Sequence, residues 1–289
     1  MKDQAEELRL KLRRNAEKKI PKTIAVVSGK GGVGKSNFSL NFSISLAQKG
    51  YSVLLFDLDM GMGNLDILMG ETSEYSIIDF FEKSVPLKEI IVNSPQKISY
   101  ITGGTGLSKL VELDADMVEH FLHELSGVMD HYDYVVFDMG AGISNYSLQF
   151  ILSVQEIIVI TTSEPTSITD AYAMMKHIHL LDQSLPFNLV VNRIQTEKEG
   201  KQTYNRLANV LKTFLGRELA FLGMIPDDRT VQKAVKSQTP FILFNGRSQA
   251  AKSLKDLTEF YCNRDANHRK ASSFIARMKH FLFERQARS

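Results

Sequence analysis

The run Gly29-Lys30-Gly31-Gly32-Val33-Gly34-Lys35-Ser36 fits the pattern G-x-x-x-x-G-K-[ST]. Such a run lets backbone N–H groups close around phosphate oxygens, while the following helix N-terminus adds a favourable dipole. In that chemistry Lys35 reaches the β- and γ-phosphates and Ser36 ligates Mg²⁺. Asn37, next in the chain, is counted with the nucleotide-binding residues. Phosphoryl transfer also needs acids that hold the metal and a group that positions the attacking water. Two apolar runs end in such acids: Val53 to Asp57, with Asp59 two residues on, and Tyr134 to Asp138, with Gly140 and Gly142 beyond. If the first run stays extended, Asp57 and Asp59 point the same way. Gly61 and Gly63 suit a segment that changes conformation.

These groups have to be positioned by strands. Thr23–Ser28, Val53–Asp57, Ile98–Thr102, Tyr134–Asp138, Glu156–Thr162, Phe187–Asn192 and Ala220–Ile225 read as short, mostly continuous apolar strands of the kind covered on both faces. Helical patterns fill the intervals, at Lys35–Gln48, Ala115–Met129, Thr166–Leu181 and Gln202–Leu215. The alternation predicts an α/β fold: a mostly parallel twisted sheet of about seven or eight strands with helices on both faces, its site at the strands' C-terminal ends. The expected organisation is a leader (1–20), one nucleotide-binding domain (21–262) and a C-terminal segment (263–289).

Composition bounds the rest. The chain of 289 residues is 43% hydrophobic, with net charge +2, ordinary for a globular protein and no signal of a nucleic-acid partner. Cys262 is the single cysteine, which excludes an internal disulfide framework. The charged start lacks the apolar stretch of a secretion signal, and no apolar run is long enough to span a bilayer. The expected location is cytoplasmic, with membrane contact peripheral.

Lys30, a second lysine early in the loop, makes the run resemble the deviant phosphate loop of the MinD/ParA family of P-loop NTPases (SIMIBI type). The resemblance covers roughly Thr23 to Tyr261. It implies an ATPase using ATP/ADP and Mg²⁺ that dimerises on ATP, with Lys30 contacting the nucleotide of the partner subunit. It further implies that Asp59 orients the water, that Asp57 and Asp138 assist Mg²⁺ partly through water, that Asn192 reads adenine beside Pro226 and Asp227, and that Glu164 lies at the dimer interface.

The two chain ends narrow the branch. Asp3-Gln4-Ala5, with Leu8 and Arg9, resembles the N-terminal motif of the flagellar number regulators (FlhG/YlxH/FleN). By that likeness the segment stimulates FlhF, a GTPase of the signal-recognition-particle type, with Gln4 contributing to the partner's active site. Flagellar basal-body (C-ring) components are further partners the likeness implies. At the other end Phe274, Met278, Phe281 and Leu282, with Ile275 adjacent, form an apolar stripe beside Arg277, Lys279 and Arg285, the pattern of a helix lying in a membrane surface. A terminal helix packed on its own core gives the same pattern. Aromatic Phe274 to Phe283 favours lipid over nucleic acid. The competing readings are a MinD-type division regulator, a ParA-type partition ATPase and a metabolic enzyme on the same fold.

Overall fold

The computed structural model describes residues 20–59, 65–103, 115–140, 142, 145–265 and 274–286. Eight strands, β1 (Lys22–Val27), β2 (Val53–Leu58), β3 (Val92–Asn93), β4 (Ser99–Ile101), β5 (Tyr134–Met139), β6 (Glu156–Thr161), β7 (Phe187–Ile194) and β8 (Ala220–Pro226), form one sheet in the order β3-β4-β2-β5-β1-β6-β7-β8. Every pairing is parallel except β3 with β4. The two-residue edge strand β3 was not expected from the sequence, being too short to carry a pattern.

The described helices are α1 (Lys35–Gln48), α2 (Leu65–Met69), α3 (Ile77–Lys83), α4 (Leu87–Ile90), α5 (Ala115–Met129), α6 (Asn145–Ser153), α7 (Pro165–Leu181), α8 (Glu197–Leu215), α9 (Arg229–Lys236), α10 (Phe241–Phe244), α11 (Gln249–Asp265) and α12 (Phe274–Gln286). Strand side chains alternate between two cores. Leu54, Phe56, Ala25 and Val27 join Leu122, Ile151, Met175 and Leu211 of α5 to α8 on one face. Val53, Leu55, Ile24 and Val26 join Phe38, Ile242 and Leu254 of α1, α10 and α11 on the other. Burial on both faces is why these strands read as continuously apolar.

Helix α8 starts before the expected Gln202. Thr196 caps it, accepting from the Glu199 N–H at 3.2 Å, and Gly200 sits where a Cβ would fall 2.8 Å from Met224 Sδ. The polar first turn hid this start.

The C-terminal segment takes the packed form of the two that its apolar stripe allows. Helix α12 packs into the first core with Phe274 and Met278 buried. Phe274 stacks on Phe137 at 4.9 Å between ring centroids, Arg277 donates to the Val154 carbonyl at 3.0 Å, and Ile275 packs against the same cluster. In this state the part of the stripe made by Phe274, Ile275 and Met278 faces protein, because aromatic partners on β5 and α6 cover it. The side chains of Phe281 and Leu282, the leader residues Asp3, Gln4, Ala5, Leu8 and Arg9, and Gly61 and Gly63 lie outside the described residues.

Candidate nucleotide site

β1 sits between β5 and β6, so the loop leaving its C-terminal end opens beside the acids ending β2 and β5. This is the strand-order reversal at which open α/β sheets form ligand crevices. Two glycines of the loop are needed for different reasons. Gly34 precedes α1 with φ of 91°, a left-handed conformation costly for other residues. At Gly29 an added Cβ would lie 2.2 Å from the Asp170 carbonyl carbon in α7, so only a bare backbone passes there.

Lys35, at the start of α1, is buried and reaches across to β5. Its Nζ lies 2.8 Å from Asp138 Oδ1 and 3.4 Å from Ser36 Oγ. Asp138 is fully buried and aligned in register with Asp57 of β2. Its Oδ2 has no hydrogen-bond partner among the described residues. Burial, and then the charge of Asp138, push the Asp57 carboxyl up to about 7. β2 stops at Leu58, and Asp57 Oδ1 accepts the Asp59 N–H at 2.9 Å. The strand therefore does not continue through Asp59, and the condition under which the two side chains would point the same way is not met. Asp59 lies against Gly140, where a Cβ would sit 3.4 Å from Asp59 Oδ1.

The donor set fits Mg²⁺ and a triphosphate. Hard oxygens converge at Ser36, Asp57 and Asp138, one of them with an unsatisfied buried carboxylate oxygen. Mg²⁺ takes one or two carboxylates and completes its shell with water and phosphate oxygens. The ion bound there would neutralise phosphate charge.

A cavity of about 470 Å³ adjoins the loop, lined by Gly34, Asn37, Asn192, Pro226, Asp227 and Phe241 among others. The predicted base-binding residues are therefore brought together. Asn192 is partly engaged by the loop itself: its Nδ2 donates to the Val33 carbonyl at 2.7 Å and its Oδ1 accepts from the Arg193 N–H at 3.0 Å. One amide proton and one lone pair remain for a base edge. Asp227 Oδ2 accepts from Gln195 Nε2 at 3.2 Å.

At the loop's other end Lys30 Nζ lies 3.0 Å from Glu164 Oε2 and 3.3 Å from Thr166 Oγ1, at the N-terminus of α7. The two residues assigned to a subunit interface thus meet within one chain.

Two of the buried polar residues of α1 bear on the site and were missed. Ser39 Oγ lies 2.9 Å from Asp138 Oδ1. Asn41 ties the cavity-lining Asn37 of α1 to α10: its Nδ2 donates to Asn37 Oδ1 at 2.9 Å, and its Oδ1 accepts the Ile242 N–H at 3.0 Å. Their signal was spacing: Ser39 follows Lys35 by one helical turn, on the same side of the helix.

Comparison with known proteins agrees with this geometry. The family profile described as "ParA: NUBPL iron-transfer P-loop NTPase" matches residues 19–261. The chain belongs to the ParA/MinD family of P-loop NTPases. Within that family it is 33% identical over 236 residues to the antiactivator FleN of Pseudomonas aeruginosa, covering 82% of this chain and 84% of that one. It is 37% identical over 219 residues to the flagellum site-determining protein YlxH of Helicobacter pylori, covering 75% and 74%. Among solved structures, the cell division ATPase MinD of Pyrococcus furiosus superposes with a TM-score of 0.70 at 21% identity, over 84% of this chain and 99% of that one. MinD of Pyrococcus horikoshii, complexed with Mg-ADP, does so with a TM-score of 0.70 at 21% identity, over 86% and 98%.

Proposed function

We propose that this chain is an ATPase switch that regulates flagellar number and placement. It dimerises on ATP, rests on the inner membrane surface through α12, and stimulates an FlhF-type GTPase through residues 1–20. The likeness to FleN and YlxH supports the flagellar assignment. The observation that carries the switch is the place of Lys30. The loop holds two lysines with different partners, and the one that chemistry at its own phosphates does not require is tethered at the rim by Glu164 and Thr166. A cation held by an exposed pair is free to exchange that pair for the phosphates of a second subunit.

Within one subunit, the loop N–H groups and Lys35 hold the β- and γ-phosphates, Ser36 and Asp138 face the metal, and Asp59 orients the attacking water. Lys35 has to leave Asp138 to do this, which couples nucleotide arrival to rearrangement of the β5 end. α12 stands on Phe137, the residue before Asp138, so that rearrangement has a path to the membrane helix. Four or five large apolar side chains offer at most ~10 kcal/mol of burial, much of it cancelled by ordering and immobilisation. One helix then binds lipid reversibly. Two in a dimer gain avidity of ~10²–10⁴.

The test is an FlhF-type GTPase assayed with the full chain, with its Gln4→Ala variant and with a peptide of residues 1–20. Stimulation by chain and peptide, lost in the variant, is expected. No stimulation by any of them removes the flagellar reading and leaves the ATPase intact. A division-site role has its own support in the 28% identity to MinD of Thermotoga maritima over 240 residues, and it predicts that null result.

A further inference from the structure

Helix α1 buries a hydroxyl where an amphipathic helix would place a methyl group. Ser39 is fully enclosed. Its Oγ lies 2.9 Å from Asp138 Oδ1 and 3.1 Å from the Lys35 carbonyl. A hydroxyl has one proton to give, and the shorter, charge-assisted contact is the stronger claimant. Asp138 Oδ1 thus accepts two donors, Ser39 and Lys35, while Oδ2 has none among the described residues.

The two donors have different futures. Lys35 Nζ is the group the loop needs at the phosphates. Once it turns to them, a fully buried carboxylate loses a charge-assisted hydrogen bond, a costly loss without a replacement. Ser39 has no such second task, and its place is fixed by the backbone of α1.

We infer that Ser39 is a positioning residue for the magnesium acid: it holds Asp138 Oδ1 while Lys35 moves to the phosphates, leaving Oδ2 as the oxygen available to the hydrated ion. This rests on the nucleotide reading above. A serine merely returning its proton to the carbonyl one turn back is the bland alternative. It predicts no special effect on metal.

The test uses the full-length chain and a fluorescent ATP analogue, titrated first in EDTA and then with Mg²⁺. Ser39→Ala is expected to bind the analogue in EDTA as the wild type does, yet to need about 10-fold more Mg²⁺ for half-saturation. Ser39→Thr, which keeps the hydroxyl, is expected to restore the wild-type midpoint. In an Asp138→Asn background Ser39→Ala is expected to add no further shift, since the two residues act as one unit. An unchanged Mg²⁺ midpoint in Ser39→Ala overturns the inference. So does equal weakening in EDTA and in Mg²⁺, which marks a packing role, or a full extra shift in the Asp138→Asn background. A wild-type chain that binds no analogue under either condition overturns the nucleotide reading itself, and this inference with it.

Discussion

The two ends of the phosphate loop hold lysines in ion pairs of nearly equal length but opposite setting. Lys35 meets Asp138 at 2.8 Å with side-chain exposures of 7% and 0%. Lys30 meets Glu164 at 3.0 Å with exposures of 43% and 65%. Water and salt screen the second pair, and such pairs contribute about 0–1 kcal/mol. The first is shielded, so removing one partner strands a charge away from water. The lesson is that distance alone does not rank these contacts. The buried pair fixes the resting geometry of the site and yields only to a ligand that supplies a replacement. The rim pair is cheap to exchange, as the proposed contact across two subunits requires.

The largest expected effect comes from breaking the buried end. Lys35→Met leaves Asp138 without its cation and should cost about 3 kcal/mol of stability in a urea melt, while abolishing ATP binding. A loss below ~1 kcal/mol would mean the pair is as screened as a surface one.

A middle-sized effect concerns the acid beside that pair. Asp57 holds a proton in the folded chain that it would release when unfolded over the window from 3.8 to about 7. The folded state therefore binds more protons there, so stability is fullest below that window and falls as pH rises through it. The melting temperature of the nucleotide-free chain should decline across this range, and Asp57→Asn should flatten the decline. An unchanged slope in the variant would show that Asp57 is ionised throughout.

The smallest effect is expected at the rim. Glu164→Gln should leave melting within ~1 kcal/mol. It should lower the concentration of a non-hydrolysable ATP analogue needed for dimerisation in sedimentation, by no more than about five-fold. A rise in that concentration would place the useful work of Glu164 across the interface instead of within one subunit.

Much of this contrast was legible in the sequence. The pattern from Gly29 to Ser36, the apolar run ending in Asp138 and the bounds of α1 follow from residue types and period alone, because phosphate binding and two-sided burial both demand local sequence. The pairings were not legible. Glu164 lies 134 positions from Lys30, and nothing local to either residue names the other. Ser39 was missed because a buried serine inside a helix resembles an exposed one until the opposing strand is in place. The apolar stripe of α12 was visible, but periodicity tells only that a stripe needs covering, and the aromatic rings that cover it come from β5 and α6.

The close passage of Gly29 over Asp170 has a mechanical meaning. Helix α7 is touched by the loop at two places, through Lys30 at its first turn and through the Gly29 backbone at Asp170. The two contacts differ in what they resist. Lys30 can let go of the first turn at little cost, while the Gly29 backbone stays seated one turn further on, where there is no side chain to compress.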